Sequence, residues 1–176
     1  MAYDFIRSRG TRKTWATDVW RPCITLKHSF MLWLEVQSKL LTKDKLHFLD
    51  IDHKCDFCGY MAETIHHLFF ECSFTLTLWG NIRQWLGIKR SMSTLASTLK
   101  WLKKEARSTS WLSKAKRIAL ANTVHYIWLT RNRKIFEDLS PNLDCIVRRI
   151  KTYVYKVMFS LHSDVLTNFE SLALGH

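Results

Sequence analysis

Residues Cys55–Cys72, CDFCGYMAETIHHLFFEC, carry the pattern that says most about how this chain folds. Their cysteines and second histidine form the pattern C-x2-C-x8-H-x4-C, which offers four ligands of the types that zinc prefers. A tight turn eased by Gly59 and one helical turn after it can close these spacings around a tetrahedron. The sequence therefore predicts a single zinc ion bound by Cys55, Cys58, His67 and Cys72.

The predicted zinc site is structural. Three thiolates and one neutral imidazole fill the four positions around zinc and leave none open for a catalytic water. His66, which has five residues between it and Cys72 instead of four, is an alternative to His67, and His53 is a further candidate. Two other interpretations stay open. The cysteines could be buried apolar residues beside an incidental histidine pair, or a redox C-x-x-C, although no βαβ pattern surrounds them.

Length and composition favour one helical domain. The chain has 176 residues, of which 47% are hydrophobic, including 8 Trp and 10 Phe, with only 5 Gly and 2 Pro. This composition supplies a sizeable core and excludes both disorder and an all-β fold with many tight turns. Because no window of 18 apolar residues occurs and the opening residues are charged, we expect an intracellular protein, nuclear or cytoplasmic, with no membrane partner.

Apolar residues at helical spacing predict a mainly α fold. The predicted helices span residues 26–41, 42–49, 74–86, 93–106, 111–138 and 143–161. In the first of them, we expect the side that carries Phe30 and Trp33 to face the core, and the side that carries His28 and Glu35 to face solvent. The helix over 111–138 is apolar nearly all round its middle and basic at both ends, which is typical of a central buried helix.

Caps mark several of these helix ends. Thr42 and Ser93 are predicted N-caps, since their hydroxyls can accept hydrogen bonds from free amides of the first turn. Gly87 is a predicted C-cap, and Pro141 separates the last two helices. The last helix has a clear apolar stripe, made of Ile146, Val147, Ile150, Tyr153, Val154, Val157 and Leu161.

Positive charge is concentrated in the second half of the chain. The formal net charge is +12 overall, divided into +2 for residues 1–88 and +10 for residues 89–176. A surface of this sign favours RNA or DNA, contacted mainly at its phosphates. The basic residues predicted to make these contacts are Lys114, Lys116, Arg117, Arg131, Arg133, Lys134, Arg148, Arg149 and Lys151. Trp111, Trp128 and Tyr155 are interleaved with them and could stack on unpaired bases.

The zinc motif and its flanks also carry a family resemblance. The similar residues are Ala2-Tyr3-Asp4, Trp15, Val19-Trp20, Phe30-x-Leu32-Trp33, residues 40–46, Glu63-Thr64, His67-Leu68-Phe69-Phe70-x-Cys72, Trp79, Trp85-Leu86-Gly87 and Tyr126-x-Trp128-x-x-Arg131-Asn132-x-x-x-Phe136. In this pattern the chain resembles the zinc-binding domain that follows the reverse transcriptase in plant LINE-type (non-LTR) retrotransposon polyproteins. The resemblance implies a small helical domain around a Cys3His zinc knuckle over residues 1–88, followed by a basic helical extension over 89–176 that packs on it. It also implies a detached fragment of such a polyprotein or a host-encoded derivative.

The sequence offers no set of catalytic residues. It contains no Tyr/Phe-x-Asp-Asp pair of a polymerase and no acidic constellation of a nuclease, and Asp50 and Asp52 are interpreted as solvated turn residues. Cys23 and Cys145 have no histidine at a recognisable spacing. We therefore expect a nucleic-acid-binding module that is not an enzyme. The alternative is a scaffold module that docks on a reverse transcriptase or a host protein. An exposed patch formed by Trp15, Trp20, Trp85, Trp101 and Trp111 would favour that alternative.

Overall fold

A computed structural model describes residues 13, 15–105 and 110–161. Their α-helices are α1 (Ala16–Val19), α2 (Leu26–Val36), α3 (Ser73–Trp85), α4 (Leu95–Glu105), α5 (Trp111–Glu137) and α6 (Leu143–Leu161). A short 3₁₀ helix (Lys43–Leu46) and a π-helical turn (His67–Glu71) lie between α2 and α3. Apart from an isolated antiparallel bridge between Lys54 and Ala62, the described ranges contain no β-structure. The predicted mainly α fold is confirmed.

Helix α5 is the centre of the molecule. It packs against α2, α3, α4, α6 and the π-turn. Its small residues Ala115, Ala119 and Ala121 are at most 1% exposed, so neighbouring helices approach its backbone closely. Ser110 caps its N-terminus by accepting a hydrogen bond from the Ser113 amide. The prediction of a central buried helix is confirmed.

Helix α6 runs back along α5 after a short connection over residues 138–142. The Asn142 side chain caps it by accepting a hydrogen bond from the Cys145 amide (2.8 Å). Its buried stripe agrees with the prediction at Ile146, Ile150 and Val154. At the C-terminal end the prediction is wrong, because Met158 is buried and Leu161 is 42% exposed.

Helix α2 faces the core with the side opposite to the predicted one. His28, Ser29, Leu32 and Glu35 are buried, whereas Phe30 is 49% exposed. Polar contacts fix this orientation. The Ser29 hydroxyl donates to the carbonyl of residue 19 in α1 (2.9 Å), and the His28 ring lies 4.8 Å from the ring of residue 125 in α5. Because α2 carries apolar residues on both sides, its sequence pattern did not identify the buried face.

The segment after α2 also differs from the prediction. Helix α2 ends at Val36 instead of residue 41, because Ser38 has a left-handed backbone (φ +52°) and the Lys39 amide bonds back to the Leu34 carbonyl. The predicted helix over 42–49 is only a 3₁₀ helix that ends at residue 46. Thr42 precedes it, but its hydroxyl accepts no cap hydrogen bond from this helix.

Helices α3 and α4 are close to their predicted bounds. Gly87 has φ +63° after α3, and the Ile88 amide bonds to the Arg83 carbonyl (2.8 Å), so the predicted glycine cap is confirmed. The N-cap of α4 is Thr94 and not Ser93, because the Thr94 hydroxyl accepts the Ser97 amide (3.1 Å). Residue 106, the predicted end of α4, lies outside the described residues.

In the described ranges, no helix combines the length and the apolar character that crossing a membrane requires.

Candidate metal centre and basic surface

The first two predicted ligands lie in a tight backbone hairpin over residues 53–63, here called the knuckle. The Cys55 amide donates to the Met61 carbonyl (2.8 Å), and the Gly59 amide donates to the Cys55 carbonyl (2.7 Å). Gly59 has φ +72°, a conformation that favours glycine. The knuckle brings the sulfurs of Cys55 and Cys58 to within 4.8 Å of each other.

The second two predicted ligands are brought together by the π-turn. The Cys72 amide donates to the His67 carbonyl (2.8 Å), five residues back. In an α-helix, residues five apart point about 140° apart around the axis, whereas the wider π-turn brings them to a common side. The x4 spacing therefore suits a π-turn, whereas the sequence pattern predicts only an ordinary helical turn.

The four ligand atoms form a compact group. All of them lie within 4.8 Å of one another, with 3.9 Å between the sulfurs of Cys55 and Cys72 and 3.3 Å between Cys58 Sγ and His67 Nε2. Tetrahedral zinc with ordinary bond lengths separates two sulfur ligands by about 3.8 Å, and a sulfur and a nitrogen by about 3.5 Å. The donor set and its spacing therefore fit one structural zinc ion.

The two alternative histidines lie apart from this group. His66 is exposed and its Nε2 lies 3.1 Å from a Glu71 carboxylate oxygen. His53 Nδ1 lies 2.9 Å from the Lys43 carbonyl. Of the three histidines that the sequence left open, the structure places His67 among the cysteines.

The surroundings of Cys55 and Cys72 shift the pKa values of the two thiols in opposite directions. The Cys55 thiol donates a hydrogen bond to the Cys72 sulfur, which lowers the pKa of Cys72 and raises that of Cys55. Backbone amides of Phe74 and Thr75 point at the Cys72 sulfur, and two amides of the knuckle point at Cys55. These amides favour the thiolate forms. Since zinc takes thiolates as ligands, its binding would displace the remaining protons.

A buried ion pair joins the knuckle to α5. Glu63, fully buried, accepts hydrogen bonds from Arg131 Nη2 (2.5 Å) and Nε (3.2 Å), and one from the Lys43 amide (3.0 Å). The Arg131 guanidinium also lies over the Trp128 ring, 4.9 Å from its centroid. The sequence analysis missed this pair. Its only signal was the presence of both residues among the motifs that carry the family resemblance.

Comparison with known families agrees with this geometry. Residues 1–79 match the family described as zinc-binding in reverse transcriptase. Residues 1–79 thus belong to the reverse transcriptase zinc-binding domain. No curated protein and no solved structure matches the chain significantly. The match is to the zinc-binding domain and not to the catalytic domain of reverse transcriptase, which is consistent with a module that is not an enzyme.

The structure places two of the nine basic residues inside the protein. Arg131 pairs with Glu63 of the reverse transcriptase zinc-binding domain. Arg117 is 6% exposed, lies 3.7 Å from the carboxylate of Asp18, and donates to the Leu102 carbonyl. The Arg117 guanidinium holds α5 to α1 and α4, and the Arg131 guanidinium holds α5 to the segment that carries Glu63. Because both are buried, they are not accessible to phosphates, and the prediction of nucleic-acid contacts does not fit these two residues.

The other seven basic residues reach the surface but differ in their surroundings. Lys116 lies over Trp101 (5.8 Å), Lys151 lies over Trp85 (5.5 Å), and Lys134 pairs with Asp138 (2.7 Å). The rest of this set is Lys114, Arg133, Arg148 and Arg149.

The five tryptophans proposed as a docking patch mostly belong to the interior. Trp85 is 6% exposed, and Trp15, Trp101 and Trp111 are half-buried against the same core. Trp20 is 44% exposed. These residues do not form a single exposed patch.

Proposed function

We propose that the chain is a zinc-stabilised nucleic-acid-binding module without catalytic residues of its own. In this proposal residues 1–88 are the zinc-binding domain, and residues 89–176 are a basic helical extension packed on it. The observation that supports it most is the charge of the extension, net +10. Within the described ranges, Arg133, Arg148 and Arg149 have no acidic partner. Cations that reach solvent without a partner are free to contact phosphates.

The zinc ion has an indirect part in this function. When bound, it would cross-link the knuckle to the π-turn and so hold Glu63 in position. Glu63 in turn holds Arg131 of α5, and α5 supports α6, which carries Arg148 and Arg149. Contacts from these arginines to phosphates give affinity without sequence readout.

The test is equilibrium binding of zinc-loaded protein to labelled RNA and DNA, both single-stranded and duplex, over a series of salt concentrations. We expect affinity to fall steeply as salt rises, because each neutralised phosphate releases condensed counterions. Absence of binding to every nucleic acid at low salt would refute the proposal.

The second candidate function is docking on a reverse transcriptase or a host protein. It is supported by large apolar side chains that are exposed in the segment around the zinc knuckle: Leu41, Phe48, Tyr60 and Met61 are 61–85% exposed. Docking is tested by co-sedimentation of the zinc-loaded protein with a purified reverse transcriptase of a LINE-type retrotransposon. Phe48→Ser/Tyr60→Ser should abolish such a complex and leave nucleic-acid binding unchanged.

A further inference from the structure

A groove lies on the surface between α5 and α6. It consists of two adjoining cavities, of about 520 and 200 Å³, whose linings share Tyr126, Cys145 and Arg149. One cavity lies at the connection between the helices, where Pro141 contributes to its wall, and the other extends along α6 as far as Lys156.

The groove is lined by cations along its length. Arg133 and Arg149 line the smaller cavity, and Arg148, Arg149 and Lys156 line the larger one. None of the described lining residues is acidic. Arg149 and Lys156 are separated by about 10 Å along the helix axis, since each residue of an α-helix rises about 1.5 Å. Positive charge is therefore spread along the groove and not confined to one point.

Two tyrosines also line the groove, and each contacts neighbouring side chains of the protein. The Tyr153 hydroxyl donates to the Thr25 hydroxyl (3.2 Å), and its ring meets the buried His28 ring at 87° with 4.7 Å between centroids. The Tyr126 ring lies 5.8 Å from the ring of its neighbour His125. Because both rings are half-buried and supported, they offer fixed aromatic surfaces beside the cations.

We infer that this groove binds single-stranded nucleic acid, with Arg133, Arg148, Arg149 and Lys156 on the phosphates and Tyr126 and Tyr153 against unpaired bases. The inference rests on the proposed function and names the site and the form of nucleic acid. A basic groove combined with aromatic side chains is the arrangement that binds single strands without sequence preference. A duplex offers its phosphates but keeps its bases stacked inside, so the tyrosines would gain nothing from it.

The charge of the groove is tested by a matched pair of triple variants in the zinc-loaded full chain. Arg148→Glu/Arg149→Glu/Lys156→Glu alters the groove, and Lys100→Glu/Lys103→Glu/Lys104→Glu makes the same change in net charge on the exposed side of α4. Binding to fluorescein-labelled U12 and dT12 is measured by anisotropy, with zinc content and circular dichroism as checks of folding. We expect the groove variant to lose at least about tenfold in affinity and the α4 variant less than about threefold.

The aromatic contact is tested by Tyr126→Leu against Tyr126→Phe. Loss of one stacked base lowers affinity by about fivefold or more. We expect this loss for Tyr126→Leu with both single strands and no loss with duplex RNA, whereas Tyr126→Phe should bind like the parent. Comparison of U12 with dT12 decides between RNA and DNA preference.

The outcomes separate this inference from the proposed function. If both triple variants weaken binding equally, or if Tyr126→Leu binds single strands as well as the parent, the groove is not the site and diffuse positive charge accounts for binding. If the parent binds no nucleic acid at all, the proposed function fails as well.

Discussion

At the residue scale, two adjacent histidines have different surroundings. His67 lies among the three cysteines, and His66 lies in solvent beside Glu71. We expect His67→Ala and Cys58→Ser to lose most bound zinc, because three remaining ligands hold a closed site much more weakly. His66→Ala and Cys145→Ser should keep about one zinc per chain, as measured by atomic emission. Zinc loss from His66→Ala with retention in His67→Ala would reverse the assignment.

Glu63 is the residue whose loss should most disturb the contact between the knuckle and α5. Glu63→Gln removes the carboxylate and leaves the Arg131 guanidinium charged and buried, which typically costs about 3–5 kcal/mol. The free energy of unfolding in urea, with zinc in excess, measures this loss. Lys134→Ala, which breaks the surface pair with Asp138, is the control and should have little effect. A loss below about 1 kcal/mol for Glu63→Gln would contradict a tight buried pair.

At the element scale, the knuckle and the π-turn depend on the metal more than the long helices do. The knuckle contains no helix, and the π-turn is only five residues long. Bound zinc would therefore supply much of the free energy that stabilises these two segments. We expect chelation to raise amide hydrogen exchange first in residues 50–86, while the middle of α5 stays protected. Unchanged exchange in residues 50–86 after zinc removal would contradict a structural role for the ion.

The polar inner face of α2 makes stability depend on pH. Burial raises the pKa of Glu35 from its ordinary value of 4.5 to about 8. Between these values the carboxyl keeps its proton in the folded protein and loses it in the unfolded chain. Stability from this group is therefore complete below about pH 4.5 and is lost as the pH rises through 8. Burial acts oppositely on His28 and His125, whose pKa values fall to about 4, so they reduce stability only below about pH 6.5.

Glu35→Gln isolates the alkaline part of this dependence. Between pH 6.5 and 8, the parent should lose stability by at most about 1.4 kcal/mol per pH unit, and the glutamine variant should lose much less. Thermal unfolding of zinc-loaded protein at several pH values measures the difference. Parallel curves for the two proteins would show that the Glu35 carboxyl is ionised in the folded state.

At the scale of the whole molecule, the core runs through both halves of the chain. Buried residues of α3, such as Leu78 and Ile82, belong to the same cluster as Ile118 and Val124 of α5. A fragment of residues 1–88 would expose this surface to water and leave Glu63 without Arg131. With zinc bound, we expect the fragment to melt below the full chain and to enhance the fluorescence of an apolar dye. Equal melting temperatures without dye binding would show that residues 1–88 fold independently.

Features that depend on neighbouring residues can be predicted from the sequence. The predicted zinc ligands fall within 18 residues, so their spacing alone predicts Cys55, Cys58 and Cys72 and favours His67 over His66, and the structure brings these four side chains together. Helix α6 follows from its apolar stripe, α5 from an apolar middle with basic ends, and the end of α3 from Gly87, since each is a local property of the chain.

Features that join distant residues depend on how the helices pack and cannot be predicted from the sequence. Arg131 is among the predicted surface cations, but in the structure its guanidinium lies against Glu63, 68 positions earlier in the chain. The buried face of α2 was likewise set by contacts with α1 and α5, because apolar residues occur on both of its sides. A charged residue looks the same in the sequence whether it meets water or a buried carboxylate, and only the packing of helices distinguishes the two environments.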